Sequence, residues 1–164
     1  MMVRSRSQLS KNKGFSLIEL IVCLAIIGIL ASLVSPMGEV MVRRNKEQEL
    51  RVELRQIREA IDLYKLSYDQ GRIIKVLGAS GYPPTLNVLE DGVDNAKSPN
   101  GSKIFFLRKI PKDPFAPPTT KAIDSWGLRS YASDPAHPEA GEDVFDVYSK
   151  SPGDGLNGVP YRDW

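Results

Sequence analysis

The apolar run Phe15–Val34, FSLIELIVCLAIIGILASLV, constrains this chain more than any other feature. It is 20 residues long and contains one charged residue, Glu19. As an α-helix it would measure about 30 Å, the thickness of a bilayer core. Thirteen of its residues are Phe, Leu, Ile or Val, and each favours insertion by about 0.3–0.6 kcal/mol, which together outweigh the cost of about 2.5–3.5 kcal/mol for the carboxylate. We therefore predict a membrane-inserting helix over residues 15–36.

The 14 residues that precede this run are basic. They contain four basic side chains and no acid, whereas the other 150 residues of the chain contain 18 basic and 20 acidic side chains. This distribution predicts a leader over residues 1–14 that stays in the cytoplasm while the rest crosses the membrane. It gives no indication of a nucleic-acid-binding surface. The basic residues are Arg4, Arg6, Lys11 and Lys13.

An ordinary secretory signal peptide is the alternative interpretation of this region. Signal peptides have apolar segments of about 7–15 residues that end at a small-residue cleavage site. The run here is longer, contains an acid, and continues through Pro36 into further helix-like sequence. A signal peptide therefore fits less well than a membrane helix that is kept.

Residues 37–70 have the pattern of an amphipathic helix. Apolar residues recur at spacings of 4, 3, 4, 3 and 4 and form one face, with Glu47 and Arg51 as flanking charges. A sheet in the same domain is the simplest partner for this face, and a coiled coil is the alternative, although the repeat is barely three heptads long. Gly71 is predicted to end the helix. The apolar face consists of Leu50, Leu54, Ile57, Ile61, Tyr64 and Tyr68.

Residues 71–164 have the composition of a loop-rich region with short strands. Gly, Pro, Asn and Asp are dense, and apolar runs are short. Since a proline-rich loop joins the two best strand candidates, we predict a small antiparallel β-sheet on which the long N-terminal helix packs, an α+β fold. The candidate strands are Lys103–Leu107, Leu128–Ala132 and Val144–Tyr148.

No catalytic arrangement is visible in the sequence, and we expect no enzyme activity. His137 is the single histidine and lies in a proline-rich loop, which makes a poor metal or catalytic site. Cys23 is the single cysteine, so no disulfide can form within the chain, and it lies in the apolar run as a small hydrophobic residue.

The junction Lys13-Gly14-Phe15-Ser16-Leu17-Ile18-Glu19 resembles the signal shared by type IV pilins and type II secretion pseudopilins. The resemblance implies that a prepilin peptidase cuts after Gly14 and that the new N-terminal Phe15 is methylated. It also implies that Glu19 serves assembly, because a carboxylate in hydrocarbon needs a charged partner such as the new amine. That partner is one helical turn away in the same chain or belongs to a neighbouring subunit, and the family favours the neighbour.

Gly28 and Pro36 lie where pilin helices often carry a glycine and a proline. Glycine weakens a helix by about 0.5–1 kcal/mol, and proline removes a backbone donor. We expect this segment either to unwind in the packed filament, where neighbouring subunits shield the backbone, or to form a simple kink.

Three stretches of the soluble part of the chain, after the membrane-inserting helix, are similar to the major pseudopilin of type II secretion. This implies a pilin-like fold and a structural subunit that polymerises from the bacterial inner membrane into a periplasmic filament that drives or scaffolds export. The implied partners are further copies of the chain, minor pseudopilins, the prepilin peptidase, the inner-membrane assembly platform and, before assembly, membrane lipid. The three stretches are Gly81–Leu89, Phe106–Phe115 and Ser125–Ser149.

The family's last loop commonly binds calcium through an aspartate after the final strand and an acidic pair shortly before a tryptophan. Asp154 stands for the first aspartate here, but Val159 and Pro160 occupy the region of the acidic pair. Calcium takes six to eight oxygen ligands, so Asp154 and Asp163 are weak calcium candidates only. We expect the packing of Trp164, more than a metal, to hold the loop, and we expect no other cofactor.

Three other functions remain open at this point. The first is a type IV pilin of a surface fibre for adhesion, motility or electron transfer. The second is a DNA-uptake pseudopilin, which the net charge of about −2 outside the leader disfavours. The third is a membrane-anchored periplasmic enzyme, which predicts no cleavage after Gly14.

Overall fold

The computed structural model describes residues 14–164, without the side chains of residues 32–37. The chain forms two compact units, one ending at Val42 and the other, the head, spanning Arg43–Trp164. Apart from Gly14, the predicted leader lies outside the described residues.

One long helix, α1, spans Leu17–Asp69, and only short elements follow it. It ends where the sequence predicted, since Gly71 lies just beyond it with a φ of 68°, a left-handed conformation that glycine adopts without steric cost. The Arg72 amide donates to the Ser67 carbonyl at 2.9 Å and closes the last turn. The other elements are helix α2 (Asn87–Asp91), strands β1 (Val93–Asp94), β2 (Lys103–Ile104), β3 (Trp126–Arg129) and β4 (Asp146–Ser149), and 3-10 turns at Ile123–Ser125 and Tyr161–Asp163.

The predicted apolar face of the amphipathic helix forms the centre of the core in the unit Arg43–Trp164. Leu50 and Ile57 have no exposed surface, and Ile61 is 1% exposed. The α+β fold with a long helix on small antiparallel sheets is thereby confirmed. The buried residues that pack with this face from the rest of the unit are Ile73, Leu86, Leu89, Leu107, Ile110, Trp126, Val144, Val147 and Tyr161.

The structure has two separate two-stranded sheets where the sequence predicted one. Strand β1 pairs with β2, and β3 pairs with β4, both antiparallel. Strand β2 ends after Ile104 because the amides of Phe106 and Leu107 donate to the Leu89 carbonyl of α2, at 3.1 and 2.9 Å, instead of to a neighbouring strand. Helix α2 was not predicted, since its five residues are too few to show a period.

Strands β3 and β4 both lie slightly displaced from the predicted Leu128–Ala132 and Val144–Tyr148. The ladder stops after β3 because the Ser130 amide donates to the Glu139 carbonyl at 2.9 Å. It starts late in β4 because the Val144 amide donates to the Pro83 carbonyl at 2.8 Å. Long-range loop contacts therefore set the ends of both strands.

Candidate functional site

The predicted cleavage junction lies in exposed, non-helical backbone. Gly14 and Phe15 precede Leu17, the first residue of α1, and Phe15 is 82% exposed. An accessible, non-helical peptide bond is what proteolytic cleavage needs. The geometry is compatible with a cut after Gly14, and the cut itself stays a prediction.

Glu19 is exposed and lies in the first turn of α1. The helix begins with the Leu20 amide donating to the Ser16 carbonyl at 3.1 Å. A carboxylate at this end is favoured by the helix dipole. An amine created at Phe15 would stand four residues before Glu19, the spacing at which side chains of a helix meet. After the predicted cut, both charges would lie at one helix end.

The first unit exposes its apolar side chains on all sides of α1. Between Phe15 and Leu30, eleven large apolar side chains are each at least 50% exposed. Surface of this size and chemistry requires a cover, by lipid or by other protein. They are Phe15, Leu17, Ile18, Leu20, Ile21, Val22, Leu24, Ile26, Ile27, Ile29 and Leu30.

Among the residues that the structure describes, no helix is both long enough and apolar enough to cross a membrane.

Helix α1 includes both Gly28 and Pro36. A Cβ placed on Gly28 would have no neighbour within 4 Å, so packing within the chain does not require a glycine there. The side chain of Pro36 lies outside the described residues. Unwinding of this segment in an assembly stays a prediction.

Asp154 and Asp163, the calcium candidates, both have exposed side chains in the loop 151–164. Asp163 Oδ1 lies 3.4 Å from Arg162 Nε. Asn157 Oδ1, a neutral oxygen of the same loop, accepts a hydrogen bond from the Val159 amide at 3.1 Å. Within residues 14–164, no three acidic, histidine or cysteine side chains converge on a common metal position.

Comparison with known proteins supplies the family. Residues 9–35 match the family model of the prokaryotic N-terminal methylation motif. The type II secretion system core protein G of Pseudomonas aeruginosa is 34% identical over 117 residues, which are 68% of this chain and 73% of that protein. The protein of the same name from Escherichia coli K12 is 32% identical over 64% of this chain and 68% of that protein. The one from Klebsiella pneumoniae is 30% identical over 65% and 71%. No solved structure matches the chain.

The chain belongs to the core protein G family of type II secretion systems. It is a major pseudopilin, a structural subunit of a pseudopilus, as the resemblance in the sequence implied. The Gly14–Phe15 junction and Glu19 lie inside the matched methylation motif.

Two residues of this pseudopilin that the sequence did not single out connect α1 to the loop 151–164. Glu47 is only 5% exposed, and its Oε1 accepts the Leu156 amide at 2.8 Å and the Tyr161 hydroxyl at 2.9 Å. Arg43, one turn earlier, donates from Nε to the Tyr161 hydroxyl at 3.1 Å. Glu47 was interpreted as a flanking charge, although it stands three residues before Leu50, on the buried face. This position on the buried face was the one sequence signal from which a structural role for Glu47 could have been predicted.

A second acid of α1 also faces the interior of the pseudopilin head. Burial, and then repulsion from Glu49 and Asp113, raises the pKa of Glu53 to about 7. Asp113 is itself buried, and its Oδ2 accepts the Ser149 hydroxyl at 2.5 Å. Asp113 is therefore a hydrogen-bonded structural acid, whereas Glu53 titrates near neutral pH.

Proposed function

We propose that this pseudopilin is stored in the bacterial inner membrane and polymerises into a periplasmic filament that drives or scaffolds protein export. The observation that supports this most is the apolar surface formed by Phe15 and the first part of α1, where every large apolar side chain up to Leu30 is exposed. Lipid covers such a surface before assembly, and the same segment of other copies covers it afterwards. The role is mechanical, with no reaction of its own.

The head would remain outside the apolar core of the filament. Outside the predicted leader the chain has 18 basic and 20 acidic residues, which favours contacts with protein over contacts with nucleic acid. The partners expected from this function are further copies of this chain, minor pseudopilins, the prepilin peptidase and the inner-membrane assembly platform.

Glu19 provides the test of polymerisation. In the proposed filament, the methylated amine of an incoming subunit neutralises Glu19 of a resident subunit. Glu19→Val makes the helix more apolar, so membrane insertion should be kept while filament assembly is lost. Sheared-filament yield is measured beside membrane-fraction yield in cells that produce each variant.

Glu39→Val is the matched control, because Glu39 is an exposed acid of α1 in the same unit. It should leave filament yield near the wild-type level. Normal filaments from Glu19→Val would refute the pairing, and loss of filaments from both variants would show that any added valine disturbs assembly.

A further inference from the structure

The loop 151–164 is attached to the rest of the head by the buried Tyr161 and by polar contacts with α1. Among these contacts, Arg58 Nη2 donates to the backbone oxygen of Trp164 at 2.7 Å. Inside the loop, the Gly155 amide donates to the Val159 carbonyl at 2.8 Å, and the Tyr161 amide donates to the Gly153 carbonyl at 3.2 Å. Trp164 Nε1 donates to the Val159 carbonyl at 3.1 Å. These bonds shape the loop but do not attach it to the rest of the head.

The carboxylate of Glu47 attaches the middle of the loop. Its Oε1 accepts from the Leu156 amide and the Tyr161 hydroxyl, which lie on either side of the turn. Tyr161 is 3% exposed, and burial raises its pKa, so the hydroxyl keeps its proton and donates. A carboxylate that is buried away from water needs charged or hydrogen-bonding partners within the protein.

The guanidinium of Arg43 completes the network. Its Nε lies 3.4 Å from Glu47 Oε1 and 3.1 Å from the Tyr161 hydroxyl, and its Nη2 donates to the Asp154 carbonyl. Arg43 thus places a positive charge against a loop carbonyl. A calcium ion bound by the loop would do the same.

The donor set of the loop does not suit calcium as well as it suits this arginine. The Asp154 carbonyl already accepts from Arg43, Asn157 Oδ1 accepts from the Val159 amide, and Glu47 Oε1 accepts from two loop donors. The carboxylates of Asp154 and Asp163 are exposed. A site with two exposed carboxylates and engaged neutral oxygens falls short of the six to eight oxygens that calcium takes.

We propose that the Arg43–Glu47 pair of α1 is a built-in clamp that takes the place of a divalent cation in fixing the loop 151–164. Arg43 supplies the positive charge, Glu47 supplies the carboxylate, and Tyr161 joins the two through its hydroxyl. The folding of the loop is therefore independent of calcium. This goes beyond the proposed function, since a filament subunit does not require this way of holding its last loop.

Hydrogen exchange in the full-length protein in detergent micelles tests the clamp. Backbone exchange of residues 153–164 is followed by mass spectrometry in EDTA and in millimolar calcium chloride. The wild-type loop should exchange at the same rate in both. Arg43→Gln should speed exchange of the loop by about tenfold or more, because hydrogen bonds to charged groups are lost.

Two further variants make the result specific. Tyr161→Phe keeps the ring that packs against Phe115 and Trp164 but removes the hydroxyl, so it should also speed loop exchange while the core of the head stays protected. Arg44→Gln is the matched control, since Arg44 is exposed and adjacent, and it should exchange like wild type. Faster wild-type exchange in EDTA than in calcium would overturn the proposal, as would wild-type exchange rates in Arg43→Gln.

Discussion

Glu53 is a partly buried acid of the head whose pKa lies well above its ordinary value. Its Oε2 is buried and has no hydrogen-bond partner among the residues that the structure describes, and its pKa is raised to about 7, first by burial. A carboxyl group whose pKa is higher in the folded than in the unfolded chain stabilises the fold while it is protonated. That contribution is complete below the unfolded pKa of about 4.3 and is lost as the pH rises through about 7.

Glu53→Gln should therefore raise the melting temperature of the head at pH 8 and change it little at pH 5. The glutamine keeps the shape of the side chain without the charge. Glu59→Gln is the control, because Glu59 lies on the same helix and is exposed, and its effect should be small at both values. Equal shifts for Glu53→Gln at pH 5 and pH 8 would contradict the burial argument.

Ile57 is the residue that tests the core most simply. It has no exposed surface and lies in the buried cluster of the head. Ile57→Ala should lower the free energy of unfolding of residues 43–164 by about 2–5 kcal/mol in urea denaturation. Val52→Ala on the same helix is the control, since Val52 is 62% exposed, and should change it by less than about 0.5 kcal/mol. A similarly small change for Ile57→Ala would mean that this face of the helix does not pack on the head.

At the scale of elements, the pairing of β3 and β4 depends on one glycine. Gly127 pairs with Tyr148 across the ladder, and a Cβ on Gly127 would overlap the Tyr148 ring. Strand β4 therefore accommodates the Tyr148 ring only because Gly127, its partner residue in β3, has no side chain.

Gly127→Ala should destabilise the head, and Tyr148→Ala in the same chain should recover part of the loss by removing the overlapping ring. Thermal melts of both single variants and the double variant measure this coupling. If the two effects simply add, the overlap does not limit the pairing.

The sequence predicted those elements whose pattern is local and long. The spacing of Leu50, Leu54, Ile57 and Ile61 was enough to predict the buried face of the helix, and Gly71 was enough to predict its end. The strands were displaced and β2 was shorter than predicted, because contacts such as that of the Phe106 amide with the Leu89 carbonyl end them. Such contacts join distant segments and leave no period in the sequence.

The candidate site divides in the same way. Gly14, Phe15 and Glu19 form a contiguous motif that was found from the sequence. The partnership of Glu47 with Tyr161 joins residues 114 positions apart, and its one local signal was the position of Glu47 on the buried face of the helix. A charged residue on an otherwise apolar helix face is usually interpreted as an exposed residue, and Glu47 was interpreted in that way.

At the scale of the whole molecule, the two units of the chain differ in the burial of their large apolar side chains. The unit Arg43–Trp164 buries its large apolar core residues, whereas the first unit exposes its own along α1. The proposed function places the exposed surface of the first unit in lipid before assembly and in the filament core afterwards.

The intact mass of the native protein tests this account most directly. Cleavage after Gly14 and methylation of Phe15 should give a mass that corresponds to residues 15–164 plus one methyl group, and fragmentation should place that group on the Phe15 amine. A native protein that keeps Met1, or that begins after Ala31 or Ser35, would contradict the account of a processed pseudopilin.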